Sequence, residues 1–183
     1  MAATPSWTPE EVWANLQFVD GRVFCAFNEI IRRLRTELPA AIDYANAQLG
    51  YDEDSGILKP RGYYVAPTSE LTDSYINTVI VGGESTTEVQ HPGDFKNVTQ
   101  VVVYSIHERF EIAEQYADSL DRSGLIRGIL LRYLTGCVDP QDRPVWRQLE
   151  PTGVSPLPER YATYSGVAMR YTMVQTPNFN NWI

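Results

Sequence analysis

The segment that most constrains the fold is an apolar run near the middle of the chain, from Val98 to Ile106. Its sequence, VTQVVVYSI, is rich in the β-branched and aromatic residues that favour strands. Apolar residues occupy nearly every position instead of alternate positions, so both faces of the strand are expected to be buried. The run therefore predicts a central strand inside a sheet.

A helical region precedes this strand. From Arg22 to Leu38 the apolar residues recur at spacings of three and four, which is typical of an amphipathic helix. Pro39 is expected to end or bend that helix, because proline has no N–H for the next helical hydrogen bond. A second helical piece, Ala40 to Leu49, carries Ile42, Ala45 and Leu49 on its apolar face and is expected to stop at Gly50.

A second helical region follows the strand. Apolar residues return to helical spacing from Arg109 to Leu120 and continue to Gly136, with a bend expected at Ser123-Gly124. Acidic residues dominate the first half and basic residues the second half, which suits the helix dipole. The three arginines of the second half are expected on its polar side: Arg122, Arg127 and Arg132.

Short β-type segments complete the pattern. Tyr63 to Val65 and Thr78 to Val81 are predicted strands, and the polar stretch Gly82 to Asn97 is predicted to be a long hairpin excursion. Within it, Gly82-Gly83 is interpreted as a hairpin turn and not as a phosphate-binding loop, because no complete phosphate-loop motif is present.

Two further strands are predicted near the C-terminus. The five prolines between Asp139 and Arg160 leave room for only one short strand, Val145 to Leu149. Tyr164 to Gln175 alternates between two faces and predicts a longer strand. One face carries Val167, Met169, Tyr171 and Met173, and the other carries Ala168, Arg170 and Thr172. The element order predicts one α+β domain over residues 1–183, with helices packed on one side of a mostly antiparallel sheet. Residues 1–21 form a predicted N-terminal helical extension and residues 176–183 a C-terminal tail.

Charge and composition narrow the possible functions. The chain has 183 residues, a formal net charge of −8 and a pI of about 4.7. This acidity argues against tight sequence-independent nucleic-acid binding, which depends on Lys and Arg at phosphates. No signal peptide or membrane-spanning run is predicted. Cys25 and Cys137 lie far apart, without metal-site spacing, and are expected to be reduced, partly buried thiols.

The sequence offers little for catalysis. His107-Glu108 resembles the start of a zinc-binding H-E-x-x-H motif, but Glu111 occupies the position of the second histidine. We therefore assign no catalytic, cofactor-binding or metal-ligating residue, and expect no cofactor. Two hypotheses of function remain open at this point. One is a small cytosolic enzyme using His107 with Glu108 or Ser105, and the other is a soluble ligand-binding domain.

The C-terminal tail supplies the candidate interaction residues. NFNNWI follows Pro177 and lies outside the periodic pattern of the last strand. Phe179, Trp182 and Ile183 are candidate subunit-interface residues, because large apolar side chains outside a core pattern need a surface to cover them. The tail is expected either to pack on its own domain or to dock on a neighbouring subunit.

Three segments resemble one protein family. They are the helix FNEIIRRLRTELP, the strand-to-helix unit QVVVYSIHERFEIAEQYADSLDRSGLIRGILLRYL and the last strand VAMRYTMVQ. In element order and texture they are similar to the tail terminator, or tail-completion, proteins of long-tailed bacteriophages. The resemblance covers about half of the chain.

The resemblance implies a non-enzymatic structural role. It implies a homo-oligomeric ring, typically a hexamer, that caps the tail tube and joins it to the neck below the head. The expected partners are tail-tube and neck or connector proteins, DNA passes through the lumen without specific binding, and no membrane is involved. The expected location is the virion, after assembly in the host cytoplasm. A neck adaptor or stopper subunit is the alternative within this class, because the chain is longer than a compact family member.

Overall fold

The computed structural model describes residues 21–51, 56–66, 77–91, 94–107, 113–140, 144–157 and 165–175. The helices are α1 (Gly21–Leu49), α2 (Ala113–Leu130) and a short 3-10 helix (Leu131–Tyr133). The strands are β1 (Gly62–Val65), β2 (Thr78–His91), β3 (Asp94–His107), β4 (Cys137–Val138), β5 (Pro144–Trp146), β6 (Gln148–Pro156) and β7 (Ser165–Gln175).

A five-stranded sheet in the order β1-β2-β3-β7-β6 forms the centre of the fold. β1 runs parallel to β2, and every other neighbouring pair in this sheet is antiparallel. Strands β4 and β5 form a separate two-stranded ribbon. The α+β prediction, with a mostly antiparallel sheet, is confirmed.

The main apolar core lies between the helices and one face of this sheet. On that face β7 contributes Val167, Met169, Tyr171 and Met173, the four residues that its alternation predicted. Helix α1 contributes residues at spacings of three and four, and α2 contributes Ile126, Ile129 and Leu130. The residues of α1 in this core are Ala26, Phe27, Ile30, Ile31, Leu34, Leu38 and Ile42.

The opposite face of the sheet is also apolar. Ile80, Val102, Tyr104, Ile106 and Ala168 form a second buried cluster there. Because successive side chains of a strand point to opposite faces, β3 alternates between the two cores. The expectation that this strand is central and buried on both faces is confirmed.

Helix α1 does not follow the prediction at Pro39, which lies inside one continuous helix. Leu38 and Ile42 on either side of it are both completely buried, so the core holds the helix together across the missing hydrogen bond. The helix ends at Leu49, and Gly50 adopts a φ of 72°, the left-handed conformation expected of a glycine that ends a helix. Leu49, expected on the apolar face, is instead exposed.

Helix α2 also runs on where a bend was predicted, because Ser123-Gly124 lies within its continuous span. The buried residues Ile126, Ile129 and Leu130 lie directly after this pair. Their packing against the core supplies more helix stability than one glycine removes, since a glycine costs only about 1 kcal/mol relative to alanine.

The predicted hairpin excursion is confirmed as the β2–β3 hairpin, whose register runs from Thr78 opposite Ile106 to His91 opposite Asp94. Gly82-Gly83, however, does not form its turn. These residues lie within β2, beside an irregularity in register between Gly83 and Ser85. A Cβ atom on Gly83 would lie 2.9 Å from the Phe27 ring, so the glycine permits the close approach of α1.

The proline-rich segment forms more strand than predicted, because β6 reaches Pro156 and includes Pro151. Within the described residues β6 pairs only with β7 and lies at the edge of the sheet. A proline is tolerated there, since its missing N–H can face away from the sheet. The register also shifts between Pro151 and Gly153, which fits a bulge at this edge.

The predicted N-terminal extension lies outside the described residues except for Gly21, the first residue of α1. The C-terminal tail, residues 176–183, lies outside them as well, and with it Phe179, Trp182 and Ile183.

Candidate functional site

The histidine that the sequence offered for catalysis lies at the end of β3. His107 is only 1% exposed, and its Nε2 atom lies 3.5 Å from the Ser105 hydroxyl oxygen. Burial, with a smaller contribution from the positive charge of Arg122, lowers the pKa of the His107 imidazole to about 3. His107 is therefore neutral near pH 7 and shielded from solvent.

Arg122 is the centre of this polar corner. The sequence placed it on the solvent side of α2, which is wrong: Arg122 is completely buried. Its guanidinium joins α2 to three other parts of the chain. It donates to Ser105 Oγ (2.9 Å), Ile106 O (2.7 Å), Leu58 O (3.2 Å) and Asn77 Oδ1 (2.5 Å).

Asn77 is held in an unusual conformation at this corner. Its φ is 53°, in the left-handed region, which asparagine tolerates better than most residues. Its side-chain amide donates to Lys59 O and its own carbonyl accepts from Arg61 N–H. Arg122 thus fixes the point at which the chain enters β2, next to parallel strand β1.

This corner has the character of a structural junction. Burial lowers the pKa of the Arg122 guanidinium to about 9, so the group stays cationic at neutral pH. Four protein acceptors take up its hydrogen bonds, and Ser105, the nearby hydroxyl, is itself completely buried. A general base must reach a proton on a substrate, so the burial of His107 and Ser105 disfavours the catalytic hypothesis. Glu108, the other proposed partner, lies outside the described residues.

The sequence carried one signal for the burial of Arg122. It precedes Ile126 by four residues, and residues at that spacing share one face of a helix. The choice between a buried and an exposed arginine then depended on acceptors from Leu58 and Asn77, which are distant in sequence.

A second polar cluster joins α1 to the β4–β5 ribbon. Glu29 is 5% exposed and accepts from Arg32 and Arg33, with its Oε1 atom 2.8 Å from Arg33 Nε. The Cys137 thiol lies 3.8 Å from the same carboxylate oxygen. Burial, followed by the nearby Glu29 charge, raises the pKa of that thiol to about 11. Cys137 is a buried free thiol, as expected, while the Cys25 side chain is outside the described part.

Arg33 links this cluster to the 3-10 helix. Its guanidinium lies 4.7 Å from the centre of the Tyr133 ring and donates to the Tyr133 hydroxyl and to Val138 O. The Tyr133 hydroxyl donates to Glu37 at 2.5 Å, and burial followed by this bond raises its pKa. The Trp146 indole N–H donates to Tyr133 O. These contacts hold the ribbon against α1.

A pocket of about 600 Å³ opens beside this network. Its lining includes Arg33, Tyr133, Val138, Pro144 and Trp146. Val138 is 43% exposed, whereas Trp146 is 2% exposed and forms part of the main core. The pocket therefore combines a rigid wall with accessible apolar groups, as ligand and side-chain pockets generally do.

Strand β7 ends next to this pocket. Gln175, its last residue, donates from Nε2 to Val145 O at 2.8 Å, and Val145 stands between the pocket residues Pro144 and Trp146. Gln175 also pairs with Asn97, near the outer part of the β2–β3 hairpin. Pocket, β7 terminus and hairpin tip thus share one end of the sheet, and the His107 corner lies at the other end of β3.

Neither a metal centre nor a membrane span is found in the part of the chain that the structure describes. No group of three or more His, Cys, Asp or Glu side chains there could hold a metal ion. Among the described helices, none is long and apolar enough to cross a membrane.

Two comparisons with known proteins found no match. The chain matches no protein-family model and no curated protein.

Proposed function

We propose that the chain is a ring-forming structural subunit of a bacteriophage virion: a tail terminator that caps the tail tube and joins it to the neck. The observation that supports this most directly is the outer edge of β2 beyond Val81, which pairs with no described strand. β1 pairs with β2 only as far as Val81, and no other described strand covers the edge from Gly82 to His91. The assembled ring would lie at the tail–neck junction of the virion, after assembly in the host cytoplasm.

An edge of this length is a surface for association. At about 3.3 Å per residue it extends for roughly 30 Å. Backbone N–H and C=O groups that pair with no described strand can bind a strand or loop of another chain, and monomeric proteins usually cover or interrupt such edges. The last three residue pairs of the hairpin, Val89–His91 with Asp94–Lys96, also lie beyond the end of β7. A two-stranded ribbon is only marginally stable in water, so contact with a neighbour would stabilise it.

The other edge of the sheet is unsuited to the same contact. β6 carries Pro151 and Pro156 and a register shift, features that prevent continuous strand pairing. Of the two edges, only the β2 edge offers continuous backbone that no described strand pairs with, and this asymmetry disfavours stacking of like edges into fibres. It favours contact between two different surfaces, and contacts of that kind generate rings when the rotation closes.

The net charge fits a channel for DNA. At −8, the chain would repel the phosphate backbone on average and let DNA slide, whereas a basic lining would bind it.

Size measurement combined with a hairpin variant tests the proposal. Glu88 and Asn97 are register partners, so an Asn-Gly turn in place of residues 89–96 shortens the hairpin without shifting the register. We expect wild-type protein to form rings by negative-stain imaging and light scattering, and the shortened variant to remain folded but fail to assemble. Pro92→Asn, which creates the same turn at full length, is the matched control.

A strictly monomeric wild-type protein at high concentration would refute the ring. Isolated tail tubes then separate the two roles within this class. A terminator binds tube ends, whereas a neck adaptor or stopper binds the head connector and leaves bare tubes unoccupied. The enzyme alternative requires a turnover that His107→Ala abolishes while the fold is retained.

A further inference from the structure

We infer that the pocket beside Arg33 and Tyr133 receives the C-terminal tail of a second copy of this chain, with Phe179, Trp182 and Ile183 as its anchoring side chains. This inference rests on the proposed assembly and names the surface that one subunit offers to the next. Three observations support it: the chemistry of the pocket, the place where β7 ends, and the composition of the tail.

The pocket suits an uncharged aromatic segment. Val138 and Pro144 offer apolar surface, and the Tyr133 ring forms part of the same wall. The pocket lining also includes two arginines, Arg33 and Arg147. The Arg33 guanidinium is already held by Glu29, Tyr133 and Val138, so it does not require an anion from the occupant. The tail sequence TPNFNNWI has no charged side chain. The pocket volume of about 600 Å³ is enough for one or two large side chains.

The end of β7 places the tail within reach of this surface. Residues 176–183 follow Gln175, whose side chain donates to the backbone oxygen of Val145, between the pocket residues Pro144 and Trp146. Eight residues span at most about 29 Å when extended. A compact domain of this length has a radius of gyration of about 16 Å, so the tail can reach well onto an adjacent copy.

The tail sequence favours a second copy over the chain's own pocket. Thr176 precedes Pro177, and the residue before a proline is biased towards extended backbone. An extended Thr176 would lengthen the reach from Gln175, which favours a pocket on an adjacent copy over the chain's own. Trp and other aromatic residues are also the usual anchors of protein interfaces, where they fill pockets.

Mixing two full-length variants tests the inference. One variant, Val138→Glu, places a charge in the pocket but keeps the tail; the other, Phe179→Ala/Trp182→Ala, keeps the pocket but loses the anchors. We expect each variant alone to require at least a tenfold higher protein concentration than wild type to self-associate, with an unchanged melting temperature. The equimolar mixture should recover association, because a tail of one variant can enter a pocket of the other.

The outcomes separate this inference from the proposed function. If both variants assemble like wild type, the tail does not dock in this pocket and the inference fails, while ring formation stands. If the variants are defective and the mixture recovers nothing, the tail serves its own subunit and the second-copy inference is wrong. If wild type itself never associates, the proposed function fails. Pro144→Glu, at another exposed pocket residue, replaces Val138→Glu should that variant not fold.

Discussion

Replacement of Arg122 is the sharpest test of how this fold is held together. The side chain is completely buried and donates four hydrogen bonds to groups on β3 and on the segments before β1 and β2. Arg122→Ala removes all four donors and leaves a cavity. Because the acceptors come from three separate parts of the chain, we expect the whole domain to lose stability, not only α2.

The size of the loss follows from two terms. Ser105 Oγ and Ile106 O are buried acceptors, and leaving each without its donor costs about 1–3 kcal/mol. Truncating a large buried side chain to alanine adds about 2 kcal/mol or more for lost contacts and the cavity. Relief of the buried charge offsets part of this sum, because burial already lowers the pKa of Arg122 to about 9. We expect Arg122→Ala to reduce the free energy of unfolding by about 4 kcal/mol.

Arg122→Met separates the two terms, because methionine retains most of the volume and none of the donors. We expect it to cost about 2 kcal/mol, against at most about 0.5 kcal/mol for Arg127→Ala at an exposed position of the same helix. Urea unfolding followed by circular dichroism and tryptophan fluorescence measures all three variants. An Arg122→Met protein as stable as wild type would show that the hydrogen bonds do not outweigh the cost of burying the charge, and would refute this reasoning.

Three further predictions concern β7, His107 and Cys137. A Cβ on Gly166 would overlap the Ser105 carbonyl oxygen, so Gly166→Ala should lower the free energy of unfolding by about 2 kcal/mol in urea titrations. The control Gly153→Ala has open space around it and should change the free energy of unfolding little. Equal effects of the two substitutions would contradict this. The pKa of His107 is about 3 in the folded chain and about 6.5 when unfolded, so its contribution to stability is full above pH 6.5 and falls as the pH drops towards 3, by about 2 kcal/mol at pH 5. His107→Gln should flatten this dependence of unfolding free energy on pH, whereas the control His91→Gln should leave it unchanged. An unchanged slope in His107→Gln would exclude His107 as its source. With a pKa of about 11, native Cys137 should react with iodoacetamide at pH 8 about 100-fold more slowly than an ordinary thiol. Mass spectrometry of the labelled protein measures this rate. Equal labelling rates of Cys137 in native and urea-unfolded protein would refute the prediction.

Local patterns determined most of the elements. The apolar run around β3, the alternation in β7 and the spacing in α1 are short-range properties, and each predicted the face that the structure buries. Three of the predictions that failed concern glycine or proline as the end or bend of an element. Pro39 and Ser123-Gly124 interrupt no helix, and Gly82-Gly83 makes no turn, because packing outweighs local costs of a few kcal/mol at most.

By itself, the sequence determined the α+β class, the central strand, the long polar hairpin and the absence of a recognisable catalytic motif. These follow from periodicity and composition, which act over a few residues. Only the tertiary structure decided that Arg122 is buried, that His107 is neutral and enclosed, and that the end of β7 meets a pocket formed by α1 and the β4–β5 ribbon. Each of these depends on groups far apart in the chain, whose meeting no local pattern records.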